Sequence, residues 1–119
     1  MVFYGLAVIY LLGVVAQLFL AGLGVFGATT YDAHRAVGFG LGLLSIVLLG
    51  LAFGAKMPRP LTGLALLLLL LNVAQVVLIQ IDVEEIKALH VVNALAIAFV
   101  ANMLVHRSRR YLASRMISA

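Results

Sequence analysis

The chain carries four apolar runs of about twenty residues, separated only by short polar breaks, and that pattern leaves few folds open to it. A helical run of that length matches the hydrocarbon thickness of a bilayer, since each residue advances a helix by about 1.5 Å. In lipid the backbone must satisfy its own hydrogen bonds, so the runs are expected as helices rather than open strands. Of 119 residues, 66% are hydrophobic and only 10% are charged, too few polar groups to cover a water-soluble core of this size. The expected fold is therefore all-α: one domain over residues 1–119, with spans at about 2–23, 33–55, 61–81 and 86–106. Short connections favour an antiparallel four-helix bundle.

The breaks have the chemistry of helix ends. Residues 27–32, Gly-Ala-Thr-Thr-Tyr-Asp, form a polar turn with Asp32 placed to cap the second helix. Pro58 and Pro60 stop one helix and open the next. Asp82-Val-Glu-Glu85 reads as a capping box for the fourth. The first run lacks a basic start and an Ala-x-Ala site, so it reads as a mature helix rather than a signal peptide.

The formal charge of +4 is explained by its distribution. Arg107, Arg109, Arg110 and Arg115 follow the last run, and Lys56 and Arg59 flank the middle break. Basic residues gather on the cytoplasmic side of membrane proteins, so both termini and the middle loop are expected there, in a prokaryotic plasma membrane. The same distribution speaks against nucleic acid as a partner; the bilayer is the expected one. Asp32, Asp82, Glu84 and Glu85 then face outward, with Arg35 and Lys87 as two cations against the rule. The absence of cysteine excludes disulfides, thiolate chemistry, iron–sulfur clusters and c-type haem attachment.

Polar side chains inside a bilayer are costly and mark function. Gln17 and Gln75 fall near the outer ends of the first and third helices, while His34 and His90 open the second and fourth. All four are thus expected at similar depth. The order repeats: Gln17 then His34-Arg-Ala-Val-Gly38, Gln75 then His90-Val-Val-Asn-Ala94. This is a weak internal repeat of two helical hairpins about an axis along the membrane normal, which sets the histidines on adjacent or diagonal helices. Gly38 and Ala94, one turn beyond each histidine, clear a helix face for a flat ligand. Facing helices of four-helix bundles commonly build haem sites, and haem iron accepts axial imidazoles. Haem b between His34 and His90 as metal ligands is the expected cofactor. Arg35 and Lys87 are placed for its propionates, and Gln17 and Gln75 for a propionate or the second imidazole nitrogen.

Other polar residues read differently. Asn93 and Ser45 extend the polar stripes inward, His106 joins the basic flank, and Asn72 and Asn102 suit hydrogen bonds between helices. Gly38-x-x-x-Gly42 and Gly50-x-x-x-Gly54 have the spacing of close helix contact. The acidic residues near His90 match no compact metal motif. Catalytic residues are not expected, since no nucleophile–base pair is visible.

At Gln17-Leu-Phe-Leu-Ala-Gly22, His34-Arg-Ala-Val-Gly38 and Leu89-His90-Val-Val-Asn-Ala94 the chain resembles an uncharacterised family of small four-span prokaryotic membrane proteins, over nearly its full length. More distantly it is similar to one half of haem A synthase, an eight-span enzyme of two four-helix halves in which such a histidine pair ligates haem. It differs in having one half, no cysteine pair in the first outer loop, and Asp32-Ala33 before His34-Arg35. The resemblance implies haem binding; haem methyl hydroxylation would need a second haem site.

Three function classes follow: a haem-b protein for electron transfer or haem handling with a redox partner, a non-catalytic accessory subunit or homo-oligomer packing through glycine faces, and a small transporter. The last is disfavoured, because no carboxylate and no proline break falls at mid-membrane.

Overall fold

A computed structural model describes residues 1–117. It contains α1 (Val2–Val25), α2 (Asp32–Gly54), α3 (Arg59–Gln80) and α4 (Glu84–Ile117), and no strand among the described residues. All four helices are long and apolar enough to cross a membrane. The expected all-α, four-span bundle is what the chain forms. The fourth helix runs past His106 to Ile117, because no proline or glycine interrupts the stretch after it. Ser108 is buried there, and Tyr111 packs on the core with Arg115 over its ring at 5.7 Å. The 34 residues of α4, about 51 Å of helix, account for the 53 Å length of the molecule.

The turns show why the helices stop where they do. After α1, Gly27 adopts φ +70°, and the Gly27 and Ala28 amides donate to the Gly24 and Leu23 carbonyls. That is the Schellman arrangement, in which a left-handed residue lets orphan carbonyls be satisfied. The same arrangement ends α2, with Lys56 and Met57 donating to Phe53 and Ala52. There the left-handed residue is Lys56, φ +47°, which has a Cβ to accommodate. Pro58 is extended ahead of α3 and Pro60 sits in its first turn, where no amide is needed. Asp32 is not the N-cap of α2. Tyr31 holds that position, and the Asp32 carboxylate accepts from the Thr30 hydroxyl at 2.8 Å.

Each helix packs on two neighbours in the cyclic order α1–α2–α3–α4, and the pairs α1/α3 and α2/α4 are diagonal. Buried residues occupy one end only: Phe3 to Val14 of α1, Leu41 to Ala52 of α2, Leu61 to Leu68 of α3 and Ile97 to Ser108 of α4. This is the end that carries the basic loop and the arginine-rich part of α4. Ile9, Phe19, Leu43, Phe53, Leu70, Val77 and Phe99 are exposed around the outside, the arrangement of a bundle solvated by lipid. In the opposite half the helices enclose a cavity. The second glycine pair does not mediate contact within the bundle, since a Cβ at Gly50 or Gly54 would meet nothing within 4 Å. Asn102, expected to bond between helices, is also exposed.

Candidate functional site

The cavity has a volume of about 620 Å³ and is lined by all four helices. That is the scale of a small-molecule or cofactor pocket. Its floor meets the dry core at Tyr10, Val14, Leu41 and Ile97. There the Asn72 side chain donates to the Tyr10 hydroxyl at 2.6 Å and to the Leu68 carbonyl at 2.8 Å. Asn72 thus joins α3 to α1, the role its sequence position implied.

Above this floor lie Gln17, His34, Gly38, Gln75, His90 and Ala94, all lining the cavity. His34 on α2 and His90 on α4 face each other across the bundle diagonal with ring centres 6.3 Å apart and planes inclined at 56°. Both are half-buried. The His34 Nδ1 lies 3.3 Å from the Gln17 carbonyl oxygen, and the His90 Nδ1 lies 3.0 Å from that of Gln75. A carbonyl only accepts, so each contact selects the tautomer protonated at Nδ1 and leaves the Nε2 lone pair free. Each carbonyl oxygen has a second lone pair beyond the one used in its helix. The two hairpins therefore repeat one device: a histidine opening the second helix is oriented by the backbone of a glutamine on the first.

The side chains around this device are not repeated. In the second hairpin the Gln75 amide donates to the His90 carbonyl at 3.1 Å. Asn93 donates to the Gln75 Oε1 at 2.5 Å and to the Leu71 carbonyl at 2.9 Å. In the first hairpin the residue three beyond His34 is Val37, which has no such donor. Gln17 lies against Gly38, where a Cβ would stand 2.8 Å from its Nε2, and its Oε1 is buried without a hydrogen bond. The space made by Gly38 is thus taken by Gln17. Ser45 is buried below the cavity and turns its hydroxyl back to the Gly42 carbonyl at 2.6 Å.

Charged residues ring the mouth. Lys87 lines the cavity but holds Asp82 and Glu84 at 2.9 Å each. Arg35 is the looser cation, 3.8 Å from Asp32 with a largely exposed side chain. Tyr31 stands edge-on to His34 at 6.3 Å between ring centres. His106 is exposed in the half that carries the basic loop and lines no part of the cavity.

Two imidazole nitrogens on opposite sides of one metal, each about 2 Å from it, put the ring centres roughly 6 Å apart. The observed separation fits that. No group of three or more histidine, cysteine, aspartate or glutamate side chains suited to a metal occurs among the described residues. A bare ion would therefore find two donors only, fewer than a structural or catalytic zinc site has. A metal that brings its own equatorial ligands needs no more than two.

What sequence reasoning missed was the orienting group. It offered Gln17 and Gln75 either a propionate or the second imidazole nitrogen, and it is their backbone carbonyls that meet that nitrogen. The repeated spacing of glutamine and histidine was the signal, but it marks a position and not an atom.

Fold and site together define a class: a four-span membrane bundle, dry at one end, with paired, backbone-oriented histidines in a cavity at the other. The chain belongs to a family of unknown function, DUF6220, whose profile matches residues 17–81, from Gln17 through the end of α3. The match includes His34, Gly38 and Gln75 and stops short of His90. No curated protein and no solved structure matches the chain.

Proposed function

We propose that this protein is an integral membrane haem-b protein, ligated by His34 and His90 near the extracytoplasmic face, and that it serves electron transfer or haem handling. The observation that carries this reading is the histidine pair: ring centres 6.3 Å apart across a diagonal, each Nδ1 engaged by a carbonyl, in a cavity of about 620 Å³. Haem bound there would supply a one-electron couple, whose potential a protein sets through its axial ligands and the burial of the site. The chain's own part is to hold two imidazoles in the ligating tautomer. Leu18, Val76, Val91 and Ile97 offer an apolar lining, and Arg35 is the cation at the mouth available to a carboxylate. With the basic loop and tail inside, the cavity opens outward and both termini are cytoplasmic, in a prokaryotic plasma membrane. A redox partner would meet it at that outer end.

The test is an absorption spectrum of the chain purified in mild detergent with haem b supplied. A Soret band with sharp low-spin α and β bands on reduction, whose low-spin pattern is abolished or converted in His34→Ala or His90→Ala and unchanged in His106→Ala, is the expected result. A colourless preparation that takes up no haem would refute the reading.

A second reading has one specific observation behind it. Gly50 and Gly54 form a small-residue face that no neighbouring helix of this chain uses. Such faces let helices approach closely in lipid. An accessory subunit or homo-oligomer packed through α2 would use it, and cross-linking in native membranes distinguishes this from a monomer.

A further inference from the structure

The two histidines are related by the repeat but are not held alike. We propose that His34 is the exchangeable axial ligand and His90 the permanent one, so that the His34 side of the cavity admits a small neutral diatomic gas. The proposal rests on the haem reading above and deepens it.

Four hydrogen bonds join the His90, Asn93, Gln75 and Leu71 group, among them the reciprocal pair between Gln75 and His90. At the matching place in the first hairpin a single bond joins Gln17 to His34, and it is the longer one, 3.3 Å against 3.0 Å. Nothing clamps the Gln17 amide, and its Oε1 is an unused acceptor. The difference traces to one substitution in the repeat: Asn93 has Val37 as its counterpart. Space is asymmetric too. Gly38, one turn beyond His34, leaves room that the unclamped Gln17 amide occupies, and a Cβ at Gly42, two turns beyond, would meet nothing within 4 Å. The same positions beyond His90 are Ala94 and Ala98. A ring held by one long hydrogen bond, beside an amide that nothing clamps, swings away more readily than one held in a network. When His34 swings out it vacates the volume of one imidazole beside Gln17 and Gly38, which suits a diatomic over a bulky ligand, and the cost of burying a charge favours a neutral one.

The experiment uses the full chain reconstituted with haem b, reduced, with carbon monoxide as probe. Wild type should bind carbon monoxide at a rate independent of its concentration, because His34 must leave first. His34→Ala should keep haem and bind the gas without that limit, while His90→Ala should retain haem at least about tenfold more weakly. Val37→Asn restores the missing donor to Gln17 and should slow gas binding about five- to tenfold, the effect of one added hydrogen bond. Asn93→Val should loosen His90 toward the state of His34 and hasten haem loss. Equal behaviour of the two alanine variants, or retention by His90→Ala with loss from His34→Ala, would overturn the asymmetry while leaving haem binding intact. No haem uptake by wild type would overturn the haem reading itself. A cofactor-free measurement tests the asymmetry independently: nitrogen-15 resonances of the apo protein should show His90 fixed as the Nδ1-protonated tautomer and His34 exchanging between tautomers. The reverse assignment would sink the proposal.

Discussion

Asn93→Val removes the keystone of the α3–α4 junction, and the structure fixes what the change should cost. The Asn93 amide donates to two acceptors, the Leu71 carbonyl and the Gln75 Oε1. Leu71 keeps its helical hydrogen bond, so losing the extra donor there costs little. Gln75 Oε1 loses its only donor, and hydrogen bonds between membrane helices average about 0.6 kcal/mol and reach about 1.7 kcal/mol. A buried acceptor left unpaired adds a penalty of about 1–3 kcal/mol. The expected loss is therefore about 1.5–4.5 kcal/mol. Unfolding by SDS titration in mixed micelles, followed by circular dichroism, measures it. The decisive comparison is with Gln75→Leu and the double variant. Once Gln75 is gone there is no acceptor to strand, so Asn93→Val should then cost about 1–2 kcal/mol less than it does alone. Strict additivity of the two changes would show that the pair is not energetically coupled and would refute the network.

Three further outcomes follow from other parts of the bundle. Lys56→Gly should stabilise the chain by about 1 kcal/mol in the same titration, because glycine removes the Cβ cost at φ +47°; no gain would mean the Schellman turn is not strained. Gly38→Leu should displace the Gln17 amide, cost about 1–3 kcal/mol and reduce haem retention, whereas Gly54→Leu, with open space beside it, should change monomer stability by less than about 0.5 kcal/mol; equal effects would remove the distinction between the two glycines. Because the native chain has no cysteine, single cysteines at Met57 and at Ser114 should react only with reagents that reach the cytoplasm, and labelling from outside would invert the bundle.

The four spans were legible because each is written many times over, in every residue of an apolar run. The site was legible only in its positions. Gln17, His34, Gln75 and His90 stand out because polar residues in lipid are rare, and their spacing implied one layer and a repeat. Which atoms meet was hidden: a backbone carbonyl carries no sequence signature, so its role as the imidazole's acceptor needed the three-dimensional placement of α1 against α2. Asp32 shows the same limit at a helix end, where one residue's shift moved the cap to Tyr31. The glycine pairs show another. Spacing marks a small-residue face, but whether that face looks at a neighbouring helix or at lipid depends on helix rotation. A strongly apolar helix leaves rotation undetermined, since all its sides are acceptable to the bilayer.

That indifference explains why the few polar residues carry so much of the architecture. In water an amphipathic helix is turned to its core by the hydrophobic effect; in lipid that torque is absent, and packing and hydrogen bonds must replace it. At the basic end shape does so, with Tyr10, Leu48, Leu68 and Leu104 almost wholly buried among small partners such as Ala7, Ala52, Ala65 and Ala101. At the cavity end shape cannot, since the helices enclose space there. The registry of that half falls to the contacts of His34 with Gln17, of Asn72 with Tyr10, and of Gln75 with His90 and Asn93. The groups that would bind a metal are thus the ones that hold the cavity half of the bundle in register. A variant that weakens them should open the cavity before it unfolds the dry end. Hydrogen exchange should accordingly rise first at amides around Gln17 and His34, where one hydrogen bond joins α1 to α2, and last around Leu48 and Leu68.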